Sequence, residues 1–388
     1  MKRVYLDHNA TTPMRRAARE AFVELTGKLA GHPSSLHAAG RASRALIDEA
    51  RVRVAETLGA AEDEIVFTSG ATEANNLALF GALEARGPGA GLVTLGTEHS
   101  SVLEPARALA QRGFSVHHCA VDRTGLPLLE DFERLLGEER VDLISVSVAN
   151  GENGAVPELA ALLERVSQLD GRRPLFHTDA AQALGRVPLD LACIDLASFS
   201  AHKLGGPAGV GVLWRRSGTP LVPRTYGGGQ EAALRPGTEN AAAIYAASIA
   251  IDLAENGRER YAAGTGGHTR FLWKGIQAAL PGARLVGPPL DSRRRLPNTL
   301  CFSIPETDGR VLVTRLDLAG VEASAGSACA SGSAEPSHVL QAMGYDDDTA
   351  RSGLRLSLGR NTTREDCKRA LSILKKLFAP TNASRVTS

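Results

Sequence analysis

The stretch Pro174-Leu175-Phe176-His177-Thr178-Asp179-Ala180-Ala181-Gln182, followed from residue 195 by Asp195-Leu196-Ala197-Ser198-Phe199-Ser200-Ala201-His202-Lys203 and the turn Leu204-Gly205-Gly206-Pro207-Ala208-Gly209, decides the fold class. Runs 174–178 and 195–200 are short and continuously apolar before they turn polar, the pattern of strands buried on both faces. In α/β sheets such strand ends are where ligands are met. Working outward, runs 64–68, 92–95, 115–121, 141–148 and 210–214 have the same character. Helical patterns over 36–58, 72–85, 100–112, 128–136 and 157–169 fill most of the intervals. This alternation predicts an α/β fold whose seven-stranded, mainly parallel sheet is covered by helices. After residue 215 the pattern changes to Gly227-Gly228-Gly229, an Ala-rich helix near 238–256 and sparser elements, placing a domain change near 256–264.

Composition narrows the function. At 388 residues and 43% hydrophobic content the chain can bury a large core, and 44 basic against 43 acidic residues give a net charge of +1. That balance argues against nucleic acid or anionic lipid as partner. No apolar run approaches a membrane span, and Asp7, His8 and Asn9 interrupt any secretory leader. Five scattered cysteines without a Cys-x-x-Cys pair fit a reducing cytoplasm, and no metal site is expected.

Four segments carry chemistry. Phe67-Thr68-Ser69-Gly70-Ala71-Thr72-Glu73 ends a strand and opens a helix, so backbone N–H groups at the helix's positive end can hold a phosphate; an ordinary helix cap is the competing reading. Asp179 ends a strand, where a carboxylate can face a cationic ring nitrogen or again cap a helix. Lys203, between a buried strand and a Gly-rich turn, is placed as a Schiff-base nucleophile; a stray surface lysine is the alternative. Ser324-Ala325-Gly326-Ser327-Ala328-Cys329-Ala330-Ser331-Gly332-Ser333-Ala334 surrounds Cys329 with residues too small to anchor it by packing, which is expected of a thiol that moves between sites. Cys119, Cys193, Cys301 and Cys367 sit in or beside apolar or helical patterns and read as structural.

Taken together, in order and spacing over nearly the whole chain, these segments resemble the class V branch of fold-type I pyridoxal-phosphate (PLP) enzymes, specifically the NifS/IscS group of cysteine desulfurases. The resemblance also rests on Tyr5-Leu6-Asp7-His8-Asn9-Ala10-Thr11-Thr12-Pro13, Thr97-Glu98-His99, Arg235-Pro236-Gly237-Thr238-Glu239-Asn240 and Arg355-Leu356-Ser357-Leu358-Gly359-Arg360. It implies a large PLP-binding domain over 14–256, with 1–13 and 257–388 forming a smaller α/β domain that carries the Cys329 loop. It makes Lys203 the residue covalently joined to PLP and Asp179 the partner of the pyridinium nitrogen. Gln182 would touch the phenolic oxygen, and His99 would stack on the ring and move protons. Ala71, Thr72, Ser200 and His202 would cradle the phosphate, with Thr238 reaching in from the other subunit of a homodimer. Arg355 would clasp the substrate carboxylate, with Asn150 beside it. The implied reaction turns L-cysteine into L-alanine and leaves the sulfur on Cys329 as a persulfide for an acceptor protein, in iron–sulfur cluster assembly or another thiolation pathway.

The sequence departs from the family at Ala149-Asn150-Gly151-Glu152-Asn153-Gly154, where Gly151 stands in place of an asparagine that supports cofactor and substrate. Asn150, Asn153 or a water is expected to fill the gap. The polar tail Pro380 to Ser388 is shorter than the scaffold-docking extension of the housekeeping branch, which leaves the acceptor open. A selenocysteine lyase or class V aminotransferase would share the lysine, aspartate and phosphate segments; a degenerate sulfur-relay platform is the non-enzymatic alternative.

Overall fold

The computed structural model describes residues 3–169, 171, 173–326 and 335–379. Cys329 and the polar tail therefore lie outside the described residues. Strand β1 (Val4–Tyr5) precedes seven strands that form one sheet: β2 (Ile65–Thr68), β3 (Gly91–Leu95), β4 (Ser115–Cys119), β5 (Leu143–Ser145), β6 (Leu175–Asp179), β7 (Leu196–Ser200) and β8 (Gly211–Arg215). Their order across the sheet is β2-β8-β7-β6-β5-β3-β4. Pairings among β3 to β7 are parallel, while β8 is antiparallel to both neighbours. Six strands thus end at one edge. All seven expected strands are present, with their ends trimmed or shifted.

Alternating side chains explain the layers. Val66, Leu92, Leu143, Leu175, Leu196 and Leu213 pack against helices Ala71–Arg86 and Ser100–Gln111 on one face. Ile65, Phe67, Val93, Phe176, Phe199 and Trp214 join a core on the other face with helices Ala38–Leu58 and Ala241–Glu255. Burial on both faces accounts for the lack of polar alternation in these strands. The reversed β8 crowds the edge: a Cβ at Gly211 would come within 2.5 Å of the Gly70 backbone, so glycine there lets β8 pass the loop entering the site.

A second core surrounds β9 (Arg284–Val286), β10 (Thr299–Ser303) and β12 (Gly353–Ser357), an antiparallel three-stranded sheet. Leu272 and Ile276 of helix Arg258–Ala279 meet Leu300, Phe302, Leu354, Leu356 and Leu374 there. β1 pairs in parallel with β11 (Val321–Glu322), and Val4 and Leu6 belong to this second core. The chain's first residues are thereby tied to its last third. Asp7 also bridges Ser357, which carries Asn9 and Ala10 to the edge where the large sheet's strands end.

Candidate active site

The edge where the strands end opens into a cavity of about 400 Å³ lined by Ala71, Thr72, His99, Asn150, Asp179, Gln182, Ser200, His202, Lys203 and Arg355, all but two of the expected site residues. The exceptions are Cys329, outside the described residues, and Thr238. Thr238 is exposed, does not line this chain's cavity, and meets the His32 ring at 3.0 Å.

At one end, helix Ala71–Arg86 begins after Gly70 without a side-chain cap. Its first amides and positive pole therefore face the cavity, which favours a phosphate over the ordinary cap. Ser200 ends β7 nearby. His202 follows it, and burial, then the charges of Lys203 and Arg186, push its ring down to about 4. It meets Thr11 Oγ1 at 3.1 Å as a neutral imidazole, a hydrogen-bonding group beside the cradle and not a cation.

Asp179 ends β6, its Oδ1 accepting from the Ala181 amide at 2.9 Å and its Oδ2 from Asn75 Nδ2 at 2.7 Å. The same Asn75 group donates to Ser101 Oγ at 2.8 Å, and Ser101 Oγ meets His99 Nδ1 at 2.8 Å. Because the Ser101 amide also donates to His99 Nδ1 at 3.1 Å, the neutral ring carries its proton on Nε2. Asn75 and Ser101 thus join Asp179 to His99. Neither stands out in sequence: Asn75 sits inside a helix, and only its place four residues after Ala71 hints that it faces the sheet.

Glu98 is the other residue whose importance the sequence hides. It is 1% exposed, its Oε1 accepts from the Ser147 amide at 2.8 Å, and its Oε2 has no hydrogen-bond partner among the described residues. Burial, aided by the charge of Asp179, pushes this carboxyl up to about 8 despite the Ser147 bond. A carboxylic acid that stays protonated at neutral pH, in a cavity wall, is a hydrogen-bond donor.

Lys203 lies on the turn Ala201–Lys203 after β7, its Nζ donating to the carbonyls of Asn9 at 2.5 Å and Ala10 at 2.8 Å. It is no stray surface lysine. Asn9 holds the surrounding segments together: its Nδ2 donates to Gly151 O at 2.9 Å and Thr299 Oγ1 at 2.8 Å, and its Oδ1 accepts from Arg186 at 3.0 Å and Asn298 at 2.9 Å.

Gly151 corrects an expectation. Asn150, in the cavity wall, donates one N–H to Thr97 O at 2.7 Å and accepts from the amides of Glu152 and Asn153, so its side chain holds the turn and does not fill the place of residue 151. Asn153 turns away, to Met343 Sδ at 3.1 Å and the Ala155 amide at 2.7 Å. The space belongs to Gln182: a Cβ on residue 151 would lie 2.8 Å from its Nε2. Gln182 there donates to Asn9 O at 3.0 Å and accepts from Arg186.

Arg355, on β12, is 3% exposed and donates to Asp7 Oδ1 at 2.7 Å and Gly151 O at 3.1 Å, but its buried Nε has no partner among the described residues. A guanidinium held by two partners with a donor left over suits a carboxylate ligand. Beside it, burial raises the Glu152 carboxyl above the usual carboxylate range; Glu152 accepts from Ser337 and lies next to Gly326. Burial likewise pushes the thiols of Cys119 and Cys301 up to about 12 and Cys367 up to about 11, as inert core cysteines should be. Cys193 departs from that description and is exposed.

The cavity's contents fit PLP: an uncapped helix start for the phosphate, a carboxylate for the ring nitrogen and an amine for the aldehyde. Among the described residues no group of three or more His, Cys, Asp or Glu side chains could hold a metal ion, and no helix is long and apolar enough to cross a membrane.

The family model "Aminotransferase class-V" matches residues 4–370. A "Cysteine desulfurase IscS" from Dictyoglomus turgidum is 39% identical over 382 residues, covering 97% of this chain and 95% of that protein. A solved "NIFS-LIKE PROTEIN" superposes with a TM-score of 0.89 at 34% identity, covering 97% of this chain and 99% of its own. A structure titled "SspA in complex with cysteine" matches with a TM-score of 0.77 at 30% identity, covering 91% and 98%.

Proposed function

The chain belongs to the class-V aminotransferase family, in the branch of IscS- and NifS-type cysteine desulfurases, and from that premise we propose that it holds PLP at Lys203, converts L-cysteine to L-alanine and takes the sulfur onto Cys329. The observation that carries this reading is the meeting, in one cavity, of an uncapped helix start, Asp179, Lys203 and an Arg355 with an unpartnered buried Nε.

PLP, when bound, supplies an electron sink that makes the substrate's α-proton and C–S bond labile. The residues do the rest. The amides of Ala71 and Thr72, with Ser200 and neutral His202, bind the phosphate, and Thr238 of a second copy completes the cradle in a homodimer. Asp179, held by Asn75, keeps the ring nitrogen protonated. Arg355 grips the substrate carboxylate through its Nε, and Gln182 keeps one N–H for the cofactor while the other holds Asn9. Lys203, which would hold PLP, and His99, with its proton on Nε2, would be placed to take and return protons. The Cys329 thiolate forms an S–S bond to the substrate sulfur as the Cβ–S bond breaks. The electron pair left on Cβ is quenched by a proton, and alanine departs. The persulfide then passes to an acceptor protein, in iron–sulfur cluster assembly or another thiolation pathway in the cytoplasm.

The test is alanine release from cysteine and from selenocysteine by the wild type and Cys329→Ala. A desulfurase loses only the cysteine reaction in the variant. Undiminished cysteine turnover overturns the assignment of Cys329, and a colourless protein unable to take up PLP overturns the enzyme.

A further inference from the structure

A second cavity of about 400 Å³ shares no lining residue with the first. Its polar wall is cationic: Arg15, Arg260 and Arg360, with His268 and Tyr261, and no carboxylate lines it. None of the three arginines forms an ion pair with a described carboxylate. Nearby Glu255 is already engaged by Arg258 at 2.7 Å and the Gly185 amide at 3.0 Å.

Two of the guanidinium groups are held in place by backbone. Arg15 Nε donates to Leu204 O at 2.8 Å, and Arg360 Nη2 donates to Pro13 O at 3.0 Å and Met14 O at 3.3 Å. Both terminal nitrogens of Arg15, and Nε and Nη1 of Arg360, keep donors outside these bonds. Crowding cations in a half-buried place is unfavourable: burial, then the charge of Arg360, pushes Arg15 down to about 10, and burial lowers Arg360 as well. The wall also includes Gly257, where helix Arg258–Ala279 begins without a side-chain cap, adding a positive pole. Glu259, in the first turn of that helix, does not line the cavity, and three guanidinium groups in a lining that holds no acid call for an anion of more than one charge. The space exceeds what a bare oxyanion fills.

We propose that this cavity binds a phosphoryl dianion, as free phosphate or a phosphate monoester, between Arg15, Arg260 and Arg360 at the start of helix Arg258–Ala279. The site is separate from the cofactor cradle. It adjoins the catalytic lysine, because Arg15, Tyr261 and Arg360 also line a narrow cleft whose other walls include His8, Arg186 and Lys203.

The test is calorimetric titration of PLP-saturated protein, its cradle filled, with inorganic phosphate and separately with glycerol 3-phosphate, against chloride at equal ionic strength. Arg260 is exposed and has no hydrogen bond or ion pair to a described residue, so Arg260→Ala should melt with the wild type when phosphate is absent. Saturable binding of phosphate is expected, weakened at least tenfold in Arg260→Ala and less in Arg260→Lys. Tighter binding of the ester would mark a monoester as the ligand; tighter binding of phosphate would mark the free ion. Binding no stronger than chloride, equal affinity in Arg260→Ala, or uptake that disappears once PLP saturates the protein overturns the proposal. None of these readouts depends on turnover, so they stand apart from the test of the desulfurase reading.

Discussion

Asp179, Ser200 and Lys203 reach the cavity from the ends of neighbouring strands, whereas Asn9, Gly151 and Arg355 come from segments 142 and 204 residues apart that meet through side-chain hydrogen bonds. The first group is placed by sheet register, which a single substitution hardly moves. The second, although Arg355 itself sits on β12, is joined across segments by Asn9, Gln182 and Asp7, so one lost amide or carboxylate loosens several joins. On the proposed reading, the chemistry that must not move sits on the sheet, and the part that would receive the substrate sits on the network.

Substitutions can break that comparison. Lys203→Ala should leave the fold intact, since the lysine's amine meets the network at the Asn9 and Ala10 carbonyls and not in the apolar core, yet lower turnover by roughly 10³-fold or more and remove the visible absorbance of bound PLP. Arg355→Lys keeps a charge but loses the fork. Steady-state kinetics should show kcat/KM down by roughly 10–100-fold, mostly through KM. Asn9→Ala, which removes four side-chain hydrogen bonds, should lower unfolding stability in urea by about 1–3 kcal/mol, whereas Ser200→Ala on the sheet side should cost less.

The strand-borne half was legible in sequence because each element announces itself locally: an apolar run, then Asp179 or Lys203, or a Gly-Ala-Thr turn before a helix. The family resemblance supplied their roles. In the network half the resemblance gave roles to Arg355 and Gln182, but the links between segments were not legible, because Asn9, Asn75 and Glu98 look like ordinary loop or helix residues until the fold sets them beside Lys203, Asp179 and Ser147. Gly151 was visible as a departure, but what fills its place was not. Asn150 and Asn153 were nearer in sequence, yet both are used by their own turn, and Gln182 comes across from the loop after β6.

Two smaller effects sharpen the contrast. The fold keeps the Glu98 proton up to about pH 8, while an unfolded chain releases it near 4.5. The stability this group contributes is therefore lost as pH rises through that window. Glu98→Gln, always neutral, should gain on the wild type by more than about 1 kcal/mol between pH 5 and pH 8 in denaturant titrations. An unchanged difference between the two pH values would mean that Glu98 is ionised in the fold. Gly151→Asn should push Gln182 off the Asn9 carbonyl, shifting thermal stability by a few degrees and turnover by less than about tenfold. If both stay unchanged, Gln182 does not occupy that space.

The central claim, that sulfur from cysteine comes to rest on this chain, is tested most directly by mass spectrometry of the PLP-loaded protein after exposure to L-cysteine. One added sulfur on the peptide containing Cys329, absent in Cys329→Ala and in Lys203→Ala, is the predicted result. Alanine production with no sulfur on that peptide, or sulfur carried by exposed Cys193 instead, would contradict it.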